Sequence, residues 1–266
     1  MKRMCLFVVL GVLISVGTGC RTVPITGRSQ LMFSSETDES ALGMQAFGEY
    51  KQKFPQSKNA TQVKMLQSCG EAIKAVAIKE GGADWQWEFV VLESAEANAF
   101  CLPGGKVAVY SGLFTYIANE AELAVVVAHE IAHALARHGG ERMSWGDLQT
   151  LGSLGISKAF NNETVNTVYG VGTQLGVMLP YSRANESEAD MIGLTLMARA
   201  GYNPQAAVTF WKKFGGKENA SFLDQFLSTH PQGADRIKEM TEALPKAMEI
   251  YQKAPVKRNL GMVMRH

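Results

Sequence analysis

Residues 119–138 read NEAELAVVVAHEIAHALARH and carry the strongest helical pattern in the chain. Asn119, with Glu122 three residues on, makes a start of the capping-box kind. From Leu123 to Ala136 only His129, Glu130 and His133 interrupt an apolar run, so the helix is expected to be buried on nearly every side. Gly139-Gly140 is the expected stop. Ionisable groups on such a helix are costly to bury unless they are paired or bind a metal.

His129-Glu130-Ile131-Ala132-His133 has the spacing for a metal. Residues four apart on a helix lie about 40° from one another and one turn on, so both imidazoles can grip one ion. Glu130 sits about 100° from His129 and about 60° from His133, at the flank of that face. There its carboxylate reaches a metal-bound water without ligating the metal, the geometry of a metalloprotease general base. A zinc ion, one per chain, is the expected cofactor.

A catalytic zinc takes three protein ligands and keeps a fourth position for water. His138 is one candidate third ligand. The pattern of the three-histidine zinc proteases wants its third histidine at 139, where this chain has Gly139. His138 is also about 140° round from His133, and reads better as a helix-end histidine near the last carbonyls. Glu186-Ser187-Glu188-Ala189-Asp190 offers the better candidates. Glu186 and Asp190 share a helix face, while Glu188 points about 160° away from both. Such a pair supplies a ligand and a partner that orients a histidine, and spacing alone does not rank the two.

Outward from the zinc helix, helices are expected at 36–54, 61–79, 186–200 and, with a break at Thr229-His230-Pro231, across 204–251. Trp85 to Leu92 reads as a strand, and Ala99 to Ser111 as two strands about a Pro-Gly-Gly turn. Residues 144–180 are rich in Gly, Ser and Asn and read as a mobile helix and loop. The fold class is α+β, a mainly helical domain with a small antiparallel sheet beside the zinc helix. The expected divisions are a signal peptide at 1–19, an extended tether at 20–35, the main domain at 36–255 and a flexible basic tail at 256–266.

Charged residues are 19% of 266, with 26 basic against 25 acidic, so no basic excess favours a nucleic-acid partner. Lys2 and Arg3 precede a 12-residue apolar run, Cys5 to Val16, then Gly17-Thr18-Gly19-Cys20. The run is too short for a comfortable membrane span and fits a secretory signal. Cys20 after small residues resembles a bacterial lipoprotein signal and is the expected lipidation site, although Gly17 stands where such signals usually carry Leu. The expectation is therefore a body in the bacterial periplasm, tethered to a membrane by an N-terminal lipid. Arg21 favours the outer membrane. Cys69 and Cys101 read either as a disulfide or as two buried thiols.

Together, HExxH and Ser182-Arg183 with the ExxxD of Glu186 and Asp190 resemble the zinc metallopeptidases of the CAAX prenyl protease and HtpX type. Pro24-Ile25-Thr26-Gly27-Arg28, Asn98-Ala99-Phe100, Pro103-Gly104-Gly105, Ser111-Gly112-Leu113 and Ser228-Thr229-His230-Pro231 with Arg236 extend the resemblance over most of the chain. It implies that Glu186 is the third ligand and Asp190 an outer residue approached by Arg236. It is closest to the short periplasmic lipoprotein branch, whose substrates are misfolded or unassembled envelope proteins, outer-membrane proteins foremost. The implied activity is peptide-bond hydrolysis with Glu130 as general base; the alternative is a latent-site chaperone or assembly factor. Proline biases His230 away from helix. His230 is then a loop histidine, an oxyanion donor in the cleft, or a gate on the open zinc position.

Overall fold

The computed structural model describes residues 20–82, 84–146, 181–215, 228–230 and 234–264. The signal peptide expected at 1–19 lies outside them, as does all but residues 144–146 of the mobile element expected across 144–180.

The described chain opens with a hairpin rather than an extended tether. Strand β1 (Cys20–Thr22) pairs antiparallel with β2 (Ser29–Leu31). Ile25 and Gly27 turn the chain with φ of 69° and 73°, and Val23 and Met32 are buried beneath. Helix α1 (Glu36–Lys53) starts at Ser35, whose side chain accepts from Asp38 N. Helix α2 (Ala60–Ala77) starts at Asn59, which accepts from Thr61 N and Gln62 N.

The sheet comprises β3 (Glu88–Leu92), β4 (Ala99–Leu102) and β5 (Lys106–Tyr110) in the order β3-β5-β4. The β4–β5 hairpin is antiparallel, as expected. Strand β3 adds to its far side in parallel, making the sheet mixed. The tight turn between β4 and β5 needs its glycines: Gly104 and Gly105 have φ of 81° and 77°. Both sheet faces are covered, so the strands read as apolar runs without clean alternation. Phe89, Val91, Ala99, Cys101, Val107 and Val109 join the main core. Val90, Leu92, Phe100, Leu102, Ala108 and Tyr110 pack instead with Phe47 and Ala46 of α1.

Helix α3 (Glu120–Leu135) is buried along its whole length. It packs on α2, on β4, on α4 (Arg183–Arg199) and on α5 (Gln205–Gly215), and α6 (Ala234–Lys253) covers α4 and α5. Two expectations are corrected at its ends. Gly139-Gly140 does not end it. The helix breaks at Ala136-Arg137, where Arg137 takes φ of 52°, and residues 138–146 are helical again. Arg137 is held there by a two-pronged ion pair to buried Glu39. At the other end, the expected flexible tail is tied down as far as residue 264. Met262 O and Leu260 O accept from Glu120 N and Ala121 N, two first-turn donors that no helical carbonyl can satisfy. Asn259 pairs with Tyr202, and Val263 with Asn119.

Cys69 and Cys101 are free and buried, which removes the disulfide alternative. Burial pushes both thiols well above their ordinary pKa. Among the described residues no helix is long and apolar enough to cross a membrane.

Candidate metal centre

Helices α3 and α4 meet closely enough to share a site. At Gly193 a Cβ would stand 3.1 Å from His129 N, tighter than an ordinary contact, so glycine lets the two helices approach this closely without displacement. Ser182 caps α4 and accepts from Asn185 N, which sets Glu186 in the first turn and Asp190 one turn later. His230 directly follows residues 228–229, which are helical, and Thr229 O accepts from Tyr181 N just before α4.

Four donor atoms converge: one each from His129, His133, Glu186 and His230, all buried and within 4.8 Å of one another. His129 Nε2 lies 3.1 Å from His133 Nε2 and 3.3 Å from His230 Nδ1. Glu186 Oε1 lies 3.3 Å from His133 Nε2 and 3.1 Å from His230 Nδ1. Zinc bonds of 2.0–2.1 Å in a tetrahedron hold ligand atoms roughly 3.3–3.4 Å apart. The set therefore fits such an ion, and lone pairs that would otherwise oppose one another point at a common centre.

Charge makes the same case. Among the described residues, Glu130, Glu186 and Asp190 are buried together with one guanidinium, that of Arg236. Neutral histidines leave two negative charges in a medium that tolerates none, and a divalent cation balances them. Without a cation the histidines take the strain. Burial works against charge on His129, yet Asp190 and Glu186 outweigh it and raise its pKa to about 10. Burial keeps His133 well below its ordinary value, hence neutral and fit to ligate. Glu186 is held far below the carboxylate range: burial opposes its charge, but His230, His129 and His133 prevail.

Partners beyond the cluster set the rings. His129 Nδ1 stands 3.0 Å from Asp190 Oδ1. Arg236 donates to that carboxylate through Nε at 2.6 Å and Nη2 at 2.9 Å, and its Nη1 lies 2.9 Å from Glu186 Oε2. Trp211 meets His129 edge to face and lies under the Arg236 guanidinium. Tyr181 stacks on His133 at 4.0 Å. Glu130 faces the cluster from α3, its Oε1 buried without a hydrogen bond and 3.4 Å from His230 Nε2. Burial raises its pKa, against the lowering pull of His230 and His129.

His138 is not a helix-end histidine. The left-handed turn at Arg137 swings it back, and His138 Nδ1 meets His133 Nδ1 at 2.8 Å. Wheel angles assume an unbroken helix, so the pattern gave no sign of this. Tyr181 and Trp211, too, carry no motif that would single them out.

A mainly helical α+β body, with the HExxH helix facing a glutamate from α4, defines the helix-borne metallopeptidase class. Within it, this chain belongs to peptidase family M48, whose model matches residues 61–244. The mitochondrial metalloendopeptidase OMA1 of Arabidopsis thaliana is 40% identical over 167 residues, 62% of this chain and 33% of that protein. The protein of the same name in Schizosaccharomyces pombe is 32% identical over 251 residues, 90% of this chain and 72% of that one. The beta-barrel assembly-enhancing protease of Escherichia coli is 34% identical over 165 residues, 58% and 33% of the two chains. The chain thus spans only a third of the plant and bacterial relatives.

These relatives overturn the expected bacterial periplasmic location. The match that covers 90% of the chain is to a mitochondrial protein by name, and the bacterial relative is matched over less of it. The lipid anchor expected at Cys20 depends on residues 1–19, outside the described residues.

Proposed function

We propose that this protein is a zinc-dependent endopeptidase that hydrolyses peptide bonds of unfolded or misassembled polypeptides. The observation that carries the reading is the convergence of His129, His133, Glu186 and His230 on one point with Glu130 beside it. His129, His133 and Glu186 hold the ion. An ion held there would supply Lewis acidity for activating a water and polarising the scissile carbonyl. Glu130 takes the water's proton on its carboxylate and delivers it to the leaving nitrogen. A carboxylate raised by burial suits both halves of that transfer. Asp190, clamped by Arg236, keeps His129 turned toward the ion. Strand β4 is an outer strand that packs on α3, which supports an extended substrate lying along it as an added strand.

His230 is assigned as a gate. Its Nδ1 lies 3.3 Å from His129 Nε2 and 3.1 Å from Glu186 Oε1, as close as His133 Nε2 lies to the same two atoms, which supports a fourth-ligand role over an oxyanion donor. His230→Ala should then raise cleavage; a fall in kcat, up to ~10²-fold for a lost donor, would favour the donor role instead. The same closeness favours, as a second reading, a latent-site chaperone.

The deciding experiment compares wild type with Glu130→Gln for zinc content and casein cleavage. Full zinc with cleavage abolished is expected. Cleavage retained by Glu130→Gln sinks the enzyme reading, and equal protection of an aggregating client by both proteins would point to the chaperone.

A further inference from the structure

Two of the three acids in Glu186-Ser187-Glu188-Ala189-Asp190 serve the cluster directly. The third, Glu188, faces away from it and accepts from His138. Both ligand histidines of α3 have one nitrogen in the cluster and one outside. For His129 the outer nitrogen meets Asp190, which Arg236 clamps. For His133 the outer nitrogen, Nδ1, meets His138 Nδ1 at 2.8 Å, and His138 Nε2 meets Glu188 Oε2 at 2.9 Å. With both rings neutral and His133 Nε2 kept as a lone pair, one proton arrangement satisfies these contacts. His133 Nδ1–H donates to His138 Nδ1, and His138 Nε2–H donates to the Glu188 carboxylate.

Glu188 is anchored in turn by the N-terminal hairpin. Thr26 Oγ1 donates to Glu188 Oε1, and Arg28 Nε donates to Oε2 at 2.8 Å. Both terminal nitrogens of Arg28 grip Glu141 at 2.7 Å, in the helical stretch that also carries His138. The guanidinium thus fixes the carboxylate and the backbone on which the intervening histidine rides. The His138 side chain is fully buried and that of Glu188 nearly so, which leaves these contacts little competition from water.

We propose that Thr26 and Arg28, acting through Glu188 and His138, are positioning residues for the ligand His133, so that the hairpin 20–31 is part of the metal site's support. The proposal rests on the zinc reading above. Partners of this kind fix a ligand ring's tautomer and orientation, and their loss commonly weakens metal binding 10- to 100-fold.

The test measures zinc affinity of the full chain by competition with a chromophoric chelator, beside urea unfolding of the zinc-free protein. Glu188→Gln and Arg28→Gln should each weaken zinc binding about 10-fold or more while the zinc-free protein remains folded. His138→Gln should weaken it at least as much. Because the contacts run in series, Glu188→Gln combined with His138→Gln should lose no more than His138→Gln alone. Lys51→Gln, which breaks an ion pair to Glu88, should leave zinc affinity unchanged. Should His138→Gln fail to fold, Glu188→Gln and the partly exposed Arg28→Gln carry the test. Affinity unchanged in both folded variants, or losses that add in the double variant, overturns the relay and leaves the zinc reading standing. A wild type that holds no zinc overturns both.

Discussion

Gly193→Ala perturbs the contact on which the metal centre depends, and its effect can be worked out in advance. The added methyl would stand 3.1 Å from His129 N and 3.2 Å from Ala128 C and His129 Cα. Carbon atoms rest at roughly 3.5–4.0 Å. All three neighbours are backbone of α3, so no side chain can swing aside and the helices must part by a few tenths of an ångström. Forcing an extra methyl into a packed interface costs about 1–3 kcal/mol. Alanine in place of glycine inside a helix returns about 0.5–1 kcal/mol. The packing term wins, and the net loss should be about 0.5–2 kcal/mol. Zinc affinity should suffer more, because α3 carries two ligands and α4 the third, and metal bond lengths tolerate only about 0.2 Å. A loss of ~10-fold or more is expected. Gly48→Ala provides the comparison. It lies in α1 with nothing within 4 Å of the added carbon, so it should stabilise by about 0.5–1 kcal/mol. Urea unfolding with chelator present gives the stabilities, and chelator competition gives the affinities. If Gly193→Ala raises the urea midpoint as Gly48→Ala does and keeps full zinc affinity, the close approach of the helices is not what holds the site.

Three further outcomes are expected. Arg137→Gly relieves a left-handed residue, worth about 1–2 kcal/mol, but strands buried Glu39 at a cost of about 3–5 kcal/mol, so the thermal midpoint should fall. Cys69 and Cys101 should resist thiol reagents in the native protein and react fully on unfolding without reductant, as residue-resolved mass spectrometry would record. Removing zinc by chelation should lower stability by about 4 kcal/mol relative to protein held at a thousand times the dissociation constant, and zinc-independent unfolding would contradict the metal reading.

Where local chemistry decides an element, residue patterns sufficed to find it. Asn119 and Ser35 each cap a helix, and Gly104-Gly105 turn the β4–β5 hairpin. Where a distant partner decides, they did not. Nothing near residue 260 announces that its carbonyl completes the first turn of α3. Nothing in the sheet residues states that β3 joins β5 in parallel, because a strand covered on both faces has no alternation to set its place. The hairpin 20–31 was missed for a similar reason: its strands are three residues each, and its anchors, Glu141 and Glu188, lie more than a hundred residues away.

The metal site divides along the same line. Angular spacing on an ideal helix correctly groups His129 with His133 and Glu186 with Asp190, because those pairs lie within unbroken helix. It fails for His138, where one left-handed residue resets the direction of every side chain after it. Angular spacing also made Glu188 look idle, since it can say which way a side chain leaves the axis but not what stands there. Burial supplies what the angle lacks. An acid so nearly removed from water should be raised in pKa; Glu188 is instead held at about 2, because His138, Thr26 and Arg28 outweigh desolvation. A carboxylate gripped by Thr26 and Arg28, and bonded to the His138 ring that meets His133 Nδ1, is the anchor from which His133 takes its direction.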